Sequence, residues 1–353
     1  MKTIVKIEIV MLVLVVLVAA GMILVSNGGL ELLVEPEVMA RTPEPIPTDP
    51  VVLSEEETEP AQTSPPPTET TPPPAEPEQT QPQTGENGEE STEGPRAITA
   101  ARYYVYDVRE EEYLRTLGDV HEKLYPASIT KLLSSLVVLD HMDPSDTVTV
   151  GDALLLVRED STTAGLMEGD VLTVEQLISA MMLPSGNDAA QVAAVAAGRV
   201  IGGQDLDCWQ AVSVFAEKMN EKARELGMEN SHFTNPDGMP DENHYTTMND
   251  LVILSKAVLK NPTILKYTGK AYDAVQVADR TLEWRNTNLL LHKSMDTYIP
   301  NTIGLKTGYT SAAGGCLVTA FFETDRILLI GVFGCPAYTM DRYLDTVDIY
   351  NSL

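Results

Sequence analysis

Cysteine is scarce in this chain, with three in 353 residues, at positions 208, 316 and 335. That set matches neither a disulfide framework nor the paired spacings of a zinc site, so the three read as small buried hydrophobes. Cys316 and Cys335 fall in neighbouring strands of a hairpin described below, and the sequence leaves open whether they are bonded. Basic residues are also few, 24 Lys and Arg against 52 Asp and Glu, for a net charge of -28. So acidic a chain repels a phosphate backbone, which argues against nucleic acid as a partner.

What is present divides the chain into three parts. After Lys2 and Lys6 the sequence runs apolar from Ile9 to Val25 without a charge. That length meets the lower limit for a spanning helix and exceeds a usual signal-peptide core, and no A-x-A cleavage site follows. Residues 1–26 therefore read as an uncleaved membrane anchor, with the lysine side inside and the remainder on the extracytoplasmic face. No Cys follows the run, which leaves no site for lipid attachment there. Residues 27–96 are rich in Pro, Glu and Thr, including Pro65-Pro66-Pro67 and Pro72-Pro73-Pro74. Such a segment cannot bury a core. It reads as a disordered tether that, at about 3.1 Å per residue, reaches at most roughly 200 Å.

Residues 97–353 carry the patterning of one folded domain, large enough for a core without disulfides. Arg102 to Val108 and Tyr113-Leu114 suggest a hairpin. An apolar helix follows from about Pro126 to His141. Thr173-Val174-Glu175-Gln176 has the form of a capping box and opens a helix that Pro184 ends. A second helix, capped by Asn187 or Asp188, stops at Gly198, and a third spans Trp209 to Leu226. Asn249 caps a helix over Asp250 to Lys260, which Asn261-Pro262 terminates. The last third turns to alternation: strands around Val275, Val277 and Leu282, then Ile303 to Tyr309, Gly315 to Phe322 and Arg326 to Phe333, before a closing helix from about Thr339. Strands at both ends and helices between predict an α+β domain, an antiparallel sheet built from both ends with a helical insertion.

Three short motifs carry chemistry. Ser128 and Lys131, at i and i+3 of one helix, place a hydroxyl and an amine on the same face. A neutral Lys131 there can take the Ser128 proton and make a nucleophile. Alone the spacing is common, arising by chance about once in two chains of this composition. Ser185-Gly186-Asn187 lies in the break between two helices, which aims a hydroxyl and an amide. Lys306-Thr307-Gly308 ends a strand and offers a cation, a hydroxyl and a position without a side chain, where an extended ligand can lie along the strand edge. His232 and His244 flank a turn-rich loop, Asn235 to Pro240, and read as structural.

In this order the three motifs resemble those of the penicillin-recognising serine acyl-transferases. Leu183 to Ala190, His244-Tyr245-Thr246-Thr247, and Lys306 to Thr310 running into Ala313 to Leu317 are most similar to the D-alanyl-D-alanine carboxypeptidases, the low-molecular-mass penicillin-binding proteins. The resemblance covers residues 100 to about 350. It implies a penicillin-binding/β-lactamase-like fold, and a Ser128 that attacks the penultimate D-Ala carbonyl of a peptidoglycan stem peptide ending in D-Ala-D-Ala. The terminal D-Ala is then released, and the same serine is acylated by β-lactam antibiotics. It further implies Lys131 as base, its proton loosened by burial and by Lys306. Ser185 would relay that proton and Asn187 would orient Lys131 and the substrate amide. Lys306 and Thr307 would hold the terminal carboxylate beside Gly308, and the Ser128 and Tyr309 backbone N–H groups would form the oxyanion hole. No cofactor or metal is called for. Asp237 departs from the His of the usual Asn-Pro-His-Gly-Leu loop, and the sequence stops just past the closing helix, where better-known members carry a β-rich domain and an amphipathic helix. A β-lactamase would need a deacylating Glu in a Glu-x-x-Leu-Asn loop, and no such stretch occurs. An endopeptidase of D-alanyl cross-links would use the same residues. A non-enzymatic β-lactam sensor or wall-binding protein is disfavoured, because the tail before the span is too short for a cytoplasmic effector.

Overall fold

The computed structural model describes residues 16–18, 21–26, 29–31, 96–336 and 340–353. In the N-terminal unit, β1 (Val16–Val18), β2 (Gly21–Ser26) and β3 (Gly29–Glu31) form a three-stranded antiparallel sheet. The rest of the expected anchor and tether lies outside the described residues. Among the described residues no helix is long and apolar enough to cross a membrane.

The C-terminal unit is organised by one sheet. β4 (Arg102–Asp107) and β5 (Glu112–Leu117) form the expected hairpin, and β10 (Thr302–Thr310), β11 (Gly314–Glu323) and β12 (Arg326–Cys335) form a meander. The two pieces join where β12 pairs antiparallel with β4, Leu329 opposite Tyr106, giving the order β10-β11-β12-β4-β5. The sheet is thus assembled from both ends of the domain, as the sequence predicts. Both faces are buried, so strand alternation separates two cores. Tyr104, Tyr106, Val318 and Leu329 enter the helical side. Val105, Leu317, Phe321 and Ile330 face Tyr343 and Ile349 of α7 (Asp341–Asn351) on the other.

The helical layer centres on α1 (Thr130–His141), in which every residue from Thr130 to Val138 is buried. A helix buried on every side belongs in the middle of a core rather than on its surface. Around it stand α2 (Val174–Met182), α3 (Asn187–Gly202), α4 (Cys208–Leu226), α5 (Met248–Val258) and α6 (Pro262–Thr268). Thr173 and Gln176 make the predicted capping box at α2. Two smaller ribbons, β6 (Thr147–Thr149) with β7 (Val171–Thr173) and β8 (Tyr272–Val277) with β9 (Arg280–Arg285), complete the unit.

Of the helix boundaries that differ from the sequence reading, three have a clear local cause. α3 continues through Gly198 to Gly202, because Gly198 serves close packing rather than termination: a Cβ there would lie 2.0 Å from the Ala211 carbonyl oxygen of α4. α5 starts earlier, since the Thr247 side chain rather than Asn249 accepts from the Asp250 N–H and caps it. Asn261-Pro262 both follows α5 and begins α6, with Asn261 accepting from the Ile264 N–H and Pro262 in the first turn. All three cysteines are free and buried, so Cys316 and Cys335 are not bonded to each other.

Candidate active site

Ser128 sits in a one-turn 3-10 helix, Ala127–Ile129, that feeds directly into α1. In so tight a turn residues i and i+3 nearly eclipse, which stacks Ser128 over Lys131. The Lys131 ammonium donates to Ser128 Oγ at 2.9 Å, to Asn187 Oδ1 at 2.7 Å and to the Asp237 carbonyl oxygen at 2.9 Å. Ser128 Oγ also reaches the Asp237 carbonyl at 3.4 Å. Ala127, just before the nucleophile, holds φ +49°, and Ser185 holds φ +65°. Both are left-handed conformations that a non-glycine residue adopts only under constraint from its surroundings, a feature common at functional sites.

The loop carrying Ser185 and Asn187 is held by the helices on either side. The Gly186 N–H donates to the Ala180 carbonyl, and the Asn187 N–H to that of Thr162. Asp188 accepts from the N–H groups of Ala164, Gly165 and Leu166, pinning the segment that contributes Arg158 and Thr162 to the cleft. Trp284 Nε1 donates to the Ala164 carbonyl from the β8–β9 ribbon.

On the opposite wall β10 presents Lys306, Thr307, Gly308 and Tyr309. Gly308 is a contact point within the fold: a Cβ would come 3.0 Å from Ala127 Cβ and 3.1 Å from the Ser128 nitrogen. The missing side chain therefore makes room for the nucleophile turn, a use the sequence reading assigned to a ligand. Thr307 Oγ1 shares a 2.6 Å hydrogen bond with Thr287 Oγ1, and the Tyr343 hydroxyl donates to the Thr287 carbonyl at 2.7 Å. Arg342 of α7 donates to the Gly308 carbonyl at 2.7 Å.

Ser128, Ser185, Asn187, Thr307, Gly308 and Tyr309 line one cleft of about 1100 Å³. Lys131 and Lys306 are buried behind its wall. Sequence reasoning missed three contributors: the Asp237 carbonyl, Thr287 and Arg342. Arg342 and Thr287 belong to no motif, and a main-chain carbonyl has no residue-type signature. His244 is confirmed in a structural position. It is buried, with Nδ1 accepting from the Thr234 N–H and Nε2 against Thr130 Oγ1, and burial pushes its pKa down to about 4.

The electrostatics suit a base. Burial lowers the Lys131 pKa to about 8, against an upward pull from Asp237 and then Asp188. Near neutral pH roughly one molecule in ten then carries the free amine, 2.9 Å from the hydroxyl it would deprotonate. Burial also holds Lys306 well below its usual range, and the Lys131 and Arg342 charges add to that. The repulsion between the two amines is mutual, so each disfavours the other's charge.

The sequence profile of a family described as D-alanyl-D-alanine carboxypeptidase matches residues 89–336. The D-alanyl-D-alanine carboxypeptidase DacF of Bacillus subtilis is 32% identical over 219 residues, covering 61% of this chain and 52% of that protein. DacD of Escherichia coli, of the same description, is 31% identical over 258 residues, covering 69% of this chain and 60% of that one. The chain thus spans little more than half the length of these two relatives. Among solved structures, the Streptomyces K15 DD-transpeptidase superposes with a TM-score of 0.64 at 27% identity, over 73% of this chain and 98% of that one.

Proposed function

We propose that this chain, which belongs to the D-alanyl-D-alanine carboxypeptidase family, is a serine hydrolase that removes the terminal D-Ala from peptidoglycan stem peptides. The observation that carries the reading is the contact of Lys131 Nζ with Ser128 Oγ in a site that disfavours the lysine's charge. The free amine takes the hydroxyl proton as Oγ attacks the penultimate carbonyl. The proton passes through Ser185 to the departing D-Ala nitrogen, the C–N bond breaks, and an ester to Ser128 remains for water to cleave. Asn187 fixes Lys131 and orients the substrate amide, and the Ser128 and Tyr309 N–H groups receive the oxyanion.

The terminal carboxylate lies against Thr307 and Arg342. An arginine keeps its charge at any working pH, so Arg342 supplies a cation while the site is empty. Arrival of the carboxylate then favours the charged form of Lys306. A β-lactam closes the same ester on Ser128. The N-terminal apolar run is proposed to hold the domain at the extracytoplasmic face of a membrane, with residues 27–96 as the tether.

The test is mass spectrometry of products from a pentapeptide ending in D-Ala-D-Ala and from a cross-linked dimer. Release of D-Ala from the pentapeptide, lost in Lys131→Ala with the fold retained, is the expected result. Cleavage of the dimer alone would replace this reading with an endopeptidase, and acylation without turnover of either would leave a β-lactam sensor.

A further inference from the structure

Asp237 stands where the family resemblance leads one to expect histidine, and its surroundings give it more than a place in a turn. Its carbonyl holds Lys131 Nζ, while its side chain, 3% exposed, accepts from Gln191 Nε2 at 3.0 Å and from the Met239 N–H at 3.2 Å. Gln191 lies four residues after Asn187 on α3, so the two share a helix face. Asn187 grips the amine directly, and Gln191 grips the residue whose carbonyl grips it from the other side. Gly238, at φ +87°, seats the loop against the Ala127 carbonyl, and Ser134 Oγ ties the Pro236 carbonyl to α1 at 2.7 Å. The carboxylate is therefore fixed near the base but outside ion-pair contact with it, and an uncharged amide is its side-chain partner.

We propose that Asp237 is a positioning residue whose buried carboxylate, steadied by Gln191, sets the acid side of the pH range in which Ser128 is acylated. The inference rests on the proposed serine chemistry. The charged groups that act on Lys131 are few. Asp237 faces it from the loop and Asp188 from α3, and both favour the ammonium. Lys306 acts across from β10, its own charge suppressed by burial. The nucleophile turn brings only the Ser128 hydroxyl. Arg158, on the 158–166 segment, is paired with Asp160, and the Asp237 charge is the smallest of the influences on it. Of the two acids, Asp188 is committed to four backbone N–H groups, those of residues 164, 165, 166 and 189. Asp237 is the one whose charge can be removed without dismantling that segment.

The experiment is the second-order rate of acylation by a fluorescent penicillin, measured from pH 5 to 10 on the full chain, for the native protein and for Asp237→Asn and Asp237→His. Removing the carboxylate frees the amine at lower pH. The expected result is an acidic limb displaced to lower pH in both variants. The rate at pH 6 should rise on the order of threefold, less than the gain in free amine because that amine is also a weaker base. Acidic limbs that superimpose on the native one would overturn the proposal, as would loss of the fold in both variants, which would make Asp237 a folding determinant. A native protein that is not acylated at any pH would instead refute the serine chemistry itself.

Discussion

Gly238→Ala tests how tightly the fold clamps its nucleophile. Gly238 holds φ +87°, and a Cβ built on it would lie 1.9 Å from the Ala127 carbonyl oxygen and 2.3 Å from the carbonyl carbon. Ordinary contact needs well over 3 Å, so the 235–238 loop and the Ala127–Ile129 turn must separate by roughly 1 Å or more. The left-handed backbone costs an alanine about 1–2 kcal/mol, and the forced separation about 1–3 kcal/mol more. At about 2–4 °C per kcal/mol for a domain of this size, thermal unfolding should occur roughly 4–20 °C lower. The same movement withdraws the Asp237 carbonyl from Lys131, and misplacement on this scale is worth on the order of 100-fold in rate. Gly227→Ala is the control. Gly227 has a similar φ of +91° with nothing within 4 Å of its Cβ position, so it should show only the backbone cost and acylate as the native protein does. Calorimetry and penicillin acylation on both variants decide the matter. Equal melting temperatures and equal acylation rates for the two would refute the reasoning.

Two further predictions concern protons. Because the free amine of Lys131 is the active form, native acylation should rise with pH through about 8 and fall away below it; a rate flat from pH 5 to 9 would remove Lys131 as base. For His244, whose pKa drops from 6.5 unfolded to about 4 folded, the unfolded state binds more protons between those values. Native stability contributed by this group should therefore be whole above pH 6.5 and decline as pH falls to 4, by about 2–4 kcal/mol. Urea unfolding of His244→Gln should lose stability less steeply over that interval, and an unchanged slope would contradict the assignment.

The site was legible in the sequence because serine, lysine and asparagine at fixed spacings bring specific chemistry, and the helices that aim them have unmistakable apolar content. The sheet was legible from β-branched and aromatic residues in β4 and from turn-bounded apolar runs in the β10–β12 meander. Glycine misled once and was read only in part once, for one reason. The absence of a side chain serves chain termination, ligand approach and close packing alike, and sequence does not distinguish them. Gly198 read as a helix stop and is the crossing point of α3 and α4, and Gly308 read as a ligand seat and also admits the nucleophile turn. Asn249 and Thr247 are both competent caps two residues apart, and tertiary packing chose the threonine. Thr287 and Arg342 reach the cleft from segments far from any motif. The Asp237 carbonyl could not be found at all from residue type, since every residue carries one.

Ser128 is the nucleophile that the buried Lys131 activates, and the mass of the protein after exposure to penicillin, followed by digestion and mapping of the modified peptide, tests this. A single covalent adduct carried by Ser128, absent in Ser128→Ala, is the expected result. An adduct on another residue, or one that persists when Ser128 is replaced, would contradict it.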